Sequence, residues 1–509
     1  MMTPMLDRIH LSVPLCLALL CFAGDVADAQ TMVSPALQKA SRQAKPETPP
    51  QVVFRVHAAA EPEPALVHRF WPSPELRRQA NPMPFVSRAI LLAAKSSYDR
   101  DEAIEISEQF SRWQDLSIEK LPLGEVHRFV EKYASGPLGE LARAENMMDL
   151  QYDLQFEQLT ATEVIATVLP EVQEMRGLAR LLVIRARLAV AEHRWDDFEQ
   201  DIRLGMRLAE IAGHSTDFLV NRLVGYAIAE SLFEVVEEAM QQPGCPNLYW
   251  ALASIPVDDL FETRQSLEFE SVFTTKLCYG LDPLPDAVIG AEAARVRILR
   301  LVHEVNAVQQ PEPGPDTLVK AKLLAGIYVA SMEQPSRQLL AETTQWSGRV
   351  DELSAPEAVL RATVLRFAQS RDKWFKWSLL PKTVAAPYAD RIEADLQATG
   401  EENDIILSIL GNLFPAVSAV HQANSRLHQK HGYLCTIEAI RMHAAIAGEF
   451  PDSLDRIEPV PAWPDPVSKS DFFYHRQAPT RAMLTRGPRY RTGDETPVQL
   501  ALTSRGDKR

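Results

Sequence analysis

The chain has 509 residues, 46% hydrophobic and 24% charged, a balance that excludes global disorder, a collagen-like repeat and a multispanning membrane protein. Lys plus Arg number 53 against 68 Asp plus Glu, a formal charge of -15, which argues against nucleic acid as a partner because phosphate binding needs a positive surface. Proline (36) outnumbers glycine (21), so glycine-rich phosphate loops and close-packed β architectures are not expected.

Residues 1–29 read as a signal peptide. Arg8 supplies a basic start, Ile9 to Ala23 form an apolar run broken by His10, Ser12 and Pro14, and Ala27-Asp28-Ala29 is a small-x-small site before Gln30. The run is shorter than the roughly 20 residues that span a bilayer, and Leu15 and Leu20 before Cys16 and Cys21 exclude lipid attachment at either thiol. No later window reads as a transmembrane helix, so the expectation is an exported protein, periplasmic or secreted. After signal removal Cys245, Cys278 and Cys435 remain. An odd count cannot pair completely, and buried thiols are the expected state, one disulfide plus a free thiol the alternative.

Residues 30–84 read as a proline-rich linker in which helix is excluded, with ten prolines and one run of β character, Val52-Val53-Phe54-Arg55-Val56, able to pair with a strand elsewhere. From 85 to 310 the apolar period is near 3.6. One helix is predicted to start after Pro170, with Val172, Met175, Leu178, Leu182 and Leu188 along one side. A second follows from Trp195 to Ala212, and a third from about Thr216 to Gln242, stopped by Pro243-Gly244. Further helices are predicted over 257–279, 286–309, 316–332, 356–380, 386–399 and 403–447. Pro311, Pro313 and Pro315 mark the predicted boundary between the two helical regions, 85–310 and 316–447. The last stretch, 448–509, changes character: Asp471 to Arg476 and Ala482 to Thr485 suit a hairpin around Pro479, and Val498 to Leu502 a third strand. The fold class expected is mainly α, stacked antiparallel helical hairpins with a small C-terminal β-hairpin or sheet.

No catalytic template is complete. The chain has no Gly-x-Gly-x-x-Gly, Walker loop, Gly-x-Ser-x-Gly or Cys-x-x-Cys. His303-Glu304 opens like a zincin helix, but Ala307 stands where the second histidine ligand belongs. His421, His428 and His431 fall within about 80° of one another on a helix, yet a spacing of seven is two turns, about 10.5 Å, too far for one ion. A half-buried polar stripe is the stronger reading for them, and metal the weaker. Glu262, Arg264, Glu268 and Glu270 share the predicted 257–279 helix. Paired carboxylates do acid/base chemistry when buried, whereas Arg264 to Glu268 is also an ordinary surface pair. Lys373-Trp374-Phe375-Lys376-Trp377 resembles an interfacial membrane foot, with a core anchor as the preferred reading. Arg486, Arg489 and Arg491 lie in a tail holding seven basic and three acidic residues from Thr480 onward, a solvated counterweight to an acidic body.

Several segments resemble known proteins. Leu182, Ala186, Trp195, Ile202 and Gly205 have the rhythm of one tetratricopeptide hairpin, departing at Arg185 and Phe198, with no 34-residue repeat. Glu63-Pro64-Ala65-Leu66, Leu178-Ala179-Arg180-Leu181-Leu182, Gln241 to Leu252 and Ile437-Glu438-Ala439-Ile440-Arg441 together resemble an uncharacterised family of exported helical proteins of planctomycete-type bacteria. That likeness implies export and fold and no functional residue. The run Ala439 to His443 into Gly448-Glu449-Phe450-Pro451, with Asp465-Pro466 beyond, is similar to type II secretion pseudopilins and implies a helix packed on a small sheet. The expected function is therefore a helical interaction or scaffold protein of the cell envelope, without recognisable catalytic site or cofactor, whose partner is another envelope protein. The alternative is an exported hydrolase or lyase using Glu262 and Glu268, with His303.

Overall fold

The computed structural model describes residues 52–485 and 497–503, apart from 96–99, 151–160, 278–280, 282–283, 310–316, 344 and most of 381–414. The protein is mainly helical with one small sheet. The described residues form two compact units, one from 52–150, 163–263 and 420 onward, the other from 161–162 and 264–419. The division thus falls at Thr263 and Ala419; the predicted boundary at Pro311 to Pro315, like the signal peptide, Cys278 and Arg486 to Arg491, lies outside the described residues.

In the larger unit the helices are α1 (Met83–Lys95), α2 (Arg100–Gln114), α3 (Leu123–Phe129), α4 (Ser135–Ala144), α5 (Ala161–Ala191), α6 (Trp195–His214), α7 (Leu219–Met240), α8 (Tyr249–Ala253), α9 (Val257–Leu260) and, beyond the smaller unit, α14 (Pro415–Ala447). Helix α5 starts nine residues before Pro170 and runs through it, where a start after the proline was expected. Helices α6 and α7 cross closely because glycines meet there: a Cβ on Gly225 would stand 2.6 Å from the Ala209 carbonyl oxygen and 3.0 Å from Gly213 Cα. Helix α14 is buried on every side between His431 and Met442, so its polar side chains there, His431, Thr436, Glu438 and Arg441, must find partners within the protein.

The sheet has the order β1-β4-β3-β2. Strand β1 (Val52–Val56) pairs in parallel with β4 (Pro497–Leu502), Phe54 opposite Leu500, while β3 (Arg481–Thr485) is antiparallel to both β4 and β2 (Phe473–Ala478). Alternation sets the buried face: Phe54, Val56, Ala482, Leu484, Val498 and Leu500 are inward. The segment after β1 is packed into the unit, which corrects the linker reading for 57–84; residues 30–51 lie outside the described residues. Phe70 and Trp71 are core residues, and backbone donors are satisfied across the unit, Ala59 N–H to the Arg441 carbonyl (3.2 Å) and Arg78 N–H to the Asn146 carbonyl (2.8 Å). Helix α1 also begins within it, with Pro84 in the first turn, where its missing N–H costs nothing.

The smaller unit holds α10 (Arg264–Leu277), α11 (Ala291–Gln309), α12 (Thr317–Ala341) and α13 (Ala355–Phe375), which runs into a 3-10 turn, Lys376–Leu379. Leu340, Trp346, Leu353, Ala358 and Ala362 form its core where α12 turns into α13. Tyr328 Oη lies 2.8 Å from Thr363 Oγ1, pinning the antiparallel register of the pair. Glu357 and Arg361, one turn apart and both buried, hold the approach to α11. The carboxylate accepts from the N–H groups of Ile289 and Gly290 (2.9 Å each), and the guanidinium donates to the carbonyls of Pro285 (3.0 Å) and Ala287 (2.6 Å).

Candidate functional site

The three histidines of α14 do not converge. His428 Nδ1 lies 2.9 Å from the Asn424 carbonyl, with Nε2 3.7 Å from Asp258 Oδ1. His431 Nε2 lies 3.0 Å from the Leu252 carbonyl, which can only accept, so the ring proton sits on Nε2. His421 is half-buried, whereas His428 and His431 are buried, more deeply than a half-buried stripe. Among the described residues no three His, Cys, Asp or Glu side chains are placed to hold a metal ion. Cys435 Sγ, 3.8 Å from His431 Nε2, has the outline of a nucleophile and its base. Burial opposes that chemistry on both sides: it pushes the thiol well above its ordinary range and lowers His431 to about 4. A thiolate nucleophile needs the reverse shifts. Cys245 and Cys435 are both free and buried.

The predicted 257–279 helix is interrupted, and this corrects the geometry assumed for its carboxylates. Helix α9 stops at Phe261, whose carbonyl accepts from Tyr226 Oη (3.0 Å) and Asn424 Nδ2 (2.5 Å), so tertiary hydrogen bonds replace the helical ladder. Glu262 lies in the break, half-buried, near Arg222, whose guanidinium burial pushes down and Tyr226, Glu262 and Asp217 pull back up. Glu268 is across the break on α10, exposed and paired with Arg264 Nε at 2.8 Å. His303 is half-buried on α11, its Nδ1 enclosed and without a hydrogen-bond partner among the described residues.

Convergence occurs elsewhere. A cleft of about 150 Å³ opens between the segment around Val67 to Leu76, the end of α4 and the first turns of α6. Its floor is ionic. Arg203 donates through Nε to Glu145 and through Nη1 to Glu199 (3.0 Å) and the Arg69 carbonyl (3.3 Å). Glu199 also accepts from the Arg69 N–H (3.1 Å) and faces His68 Nδ1 at 2.8 Å. Arg207, one turn below Arg203, donates to the carbonyls of Glu145 (3.0 Å) and Met147 (2.5 Å), pairs with Glu210 and lies 5.3 Å over the Trp71 ring. Burial lowers Arg207 to about 10, which leaves it charged at neutral pH. Both floor carboxylates are engaged by the Arg203 guanidinium. Above them the rim is apolar, with Val67 and Leu76 52% and 56% exposed. Sequence reading missed this place because His68 and Arg69 sit in a stretch taken for a linker; the available signal was Glu199 and Arg203 one turn apart on a predicted helix.

The quoted motifs Gln241 to Leu252 and Ile437 to Arg441 meet in the core. Arg441, fully buried on α14, donates to the carbonyls of His57 (2.9 Å), Cys245 (2.8 Å) and Pro246 (3.2 Å), and to Glu438 Oε1 at 2.5 Å. Asn247 Nδ2 returns a bond to the Glu438 carbonyl (3.0 Å), and its Oδ1 accepts from the Tyr249 N–H (3.1 Å), opening α8. Burial raises Glu438, which Arg441 opposes. These motifs clasp β1, α8 and α14 together: Ile437 to Arg441 is buried throughout, while Pro243 and Gly244 of the first motif reach the surface. Among the described residues no helix is long and apolar enough to cross a membrane. No protein-family model, curated protein or solved structure matches this chain.

Proposed function

We propose that the protein is an exported helical scaffold of the cell envelope that acts by docking another protein, with the cleft over Glu145, Glu199 and Arg203 seating a partner side chain. The observation that carries this reading is the pairing of a self-neutralised ionic floor with an apolar rim. Small-molecule sites occupy roughly 300 Å³ or more, and about 150 Å³ suits a single anchoring side chain of the kind that dominates protein interfaces. Export is supported by Arg8, the apolar run after it and Ala27-Asp28-Ala29. The hydrolase reading loses its basis in a shared helix, since Glu262 and Glu268 stand on either side of the break.

The test is a photo-crosslinking residue placed at Leu76 in producing cells. One discrete adduct in the envelope fraction, weakened by Arg203→Glu, is expected; absence of any adduct above the level at an exposed α2 position refutes docking there. N-terminal sequencing of the fractionated protein should begin at Gln30, and a chain retaining Met1 refutes cleavage.

A further inference from the structure

The first half of α12 presents an apolar face to solvent. Leu318, Val319, Leu323, Leu324 and Ile327 are 54%, 67%, 63%, 45% and 52% exposed. At 100° per residue Val319, Leu323, Ile327 and Ala330 fall within about 80°, a strip about 17 Å long. Buried Ala321 and Tyr328 lie on the opposite side. Lys320 and Lys322, both exposed, flank the strip one on each edge, and Thr317 to Met332 contains no acidic residue in a chain of net charge -15. The Tyr328 to Thr363 bond sets the neighbours: ten residues along in each direction, Leu318 stands level with Lys373, so the turn after α13 is at the same end of the hairpin. That turn adds exposed Lys376 and Leu379, and Trp377 stacked on Tyr388 at 5.9 Å.

We propose that this end of the α12–α13 hairpin lies on the surface of an anionic lipid bilayer. An apolar strip edged by lysines, with an aromatic pair at its end, is the composition of helices that rest in the headgroup region, their ammonium groups reaching the phosphates while the strip enters the acyl boundary. Spanning is excluded for this helix. A second copy docked face to face sets Lys320 and Lys322 against their own counterparts with no carboxylate between Thr317 and Met332 to offset them. Lysine is also depleted from the buried centre of protein interfaces. The rest of the acidic molecule is repelled by an anionic surface, so this basic end sets the orientation. The inference stands apart from the cleft reading, because the cleft belongs to the other unit and is tested by other variants.

The test is co-sedimentation of the purified full chain with vesicles of equal parts phosphatidylglycerol and phosphatidylcholine, against phosphatidylcholine alone. Lys320→Ala with Lys322→Ala removes two charges, each giving about fivefold, so affinity for the anionic vesicles should fall about thirtyfold. Leu323→Glu, at an exposed position where the fold is not at risk, should lower it at least tenfold, with an unchanged circular-dichroism spectrum. Residues 1–29 are common to all variants, so whatever they contribute cancels in these ratios. Binding that fades with added salt and with both variants supports the proposal. No preference for anionic vesicles, or variants that bind like wild type, overturns it. So does a loss of self-association in Leu323→Glu with vesicle binding unchanged, which assigns the face to a second copy.

Discussion

Arg441→Met puts the core of the larger unit to its sharpest test. The methionine fills most of the volume, so the loss is electrostatic rather than a cavity. Three carbonyls, of His57, Cys245 and Pro246, lose a charged donor, and Glu438 loses its Arg441 partner within a site that is fully buried. Removing one partner of a buried ion pair costs about 3–5 kcal/mol, and orphaned carbonyls add roughly 1 kcal/mol each at the low end; Glu438 taking up a proton recovers part of this. The expected destabilisation is about 5 kcal/mol. Glu438→Gln, which keeps an acceptor for the guanidinium, should cost about half as much, and the two changes together should show a coupling on the order of 2 kcal/mol. Arg264→Ala, breaking an exposed pair of the same residue types, is the control and should cost under about 1 kcal/mol. Urea titration followed by tryptophan fluorescence and circular dichroism reads all four. An Arg441→Met cost below about 1.5 kcal/mol would falsify the account of the clasp as the point where β1, α8 and α14 are joined.

Three further outcomes are expected. Gly225→Ala should destabilise by about 3 kcal/mol, since its Cβ meets backbone of α6, while Gly205→Ala should cost about 1 kcal/mol because the atoms nearest its Cβ belong to the Leu232 side chain, which can shift; thermal melts that reverse this order refute the crossing. Iodoacetamide at pH 8 should leave Cys245 and Cys435 unmodified in the native protein, because burial pushes the first up to about 12 and raises the second well above its ordinary range; mass spectrometry finding either alkylated before unfolding counts against it. Burial lowers His214 and His431 to about 4, so between pH 6.5 and 4 the unfolded chain binds protons that the folded chain does not. Stability should therefore be present above pH 6.5 and lost as pH falls through that window, by roughly 3 kcal/mol for each ring. Asp201, which burial raises to about 6, acts in the opposite direction. His431→Gln should flatten the loss measured by urea midpoints at pH 7 and 4.5, and an unchanged slope contradicts the assignment.

Periodicity along the chain was enough to establish that the protein is mainly helical and that three strands lie at the C-terminal end. The reason is local: a 3.6-residue apolar repeat or an alternating one is a property of neighbouring residues. Val52 to Val56 was recognisable as a strand for the same cause, but its partner, 446 residues away at Val498, was not. Tertiary contact decided everything else. It ended α9 at Phe261 because Tyr226 and Asn424 claim that carbonyl, and so separated Glu262 from the helix of Glu268. It buried Phe70 and Trp71 in a proline-rich stretch with no periodicity to betray them. The cleft over Glu145, Glu199 and Arg203 joins residues 58 positions apart, and Glu438 and Arg441 look like any one-turn surface pair until the loop carrying Cys245 closes over them. Charge and spacing along one helix are written in order, whereas burial depends on which distant segment covers it, and that is the free energy of the whole assembly rather than of any stretch of it.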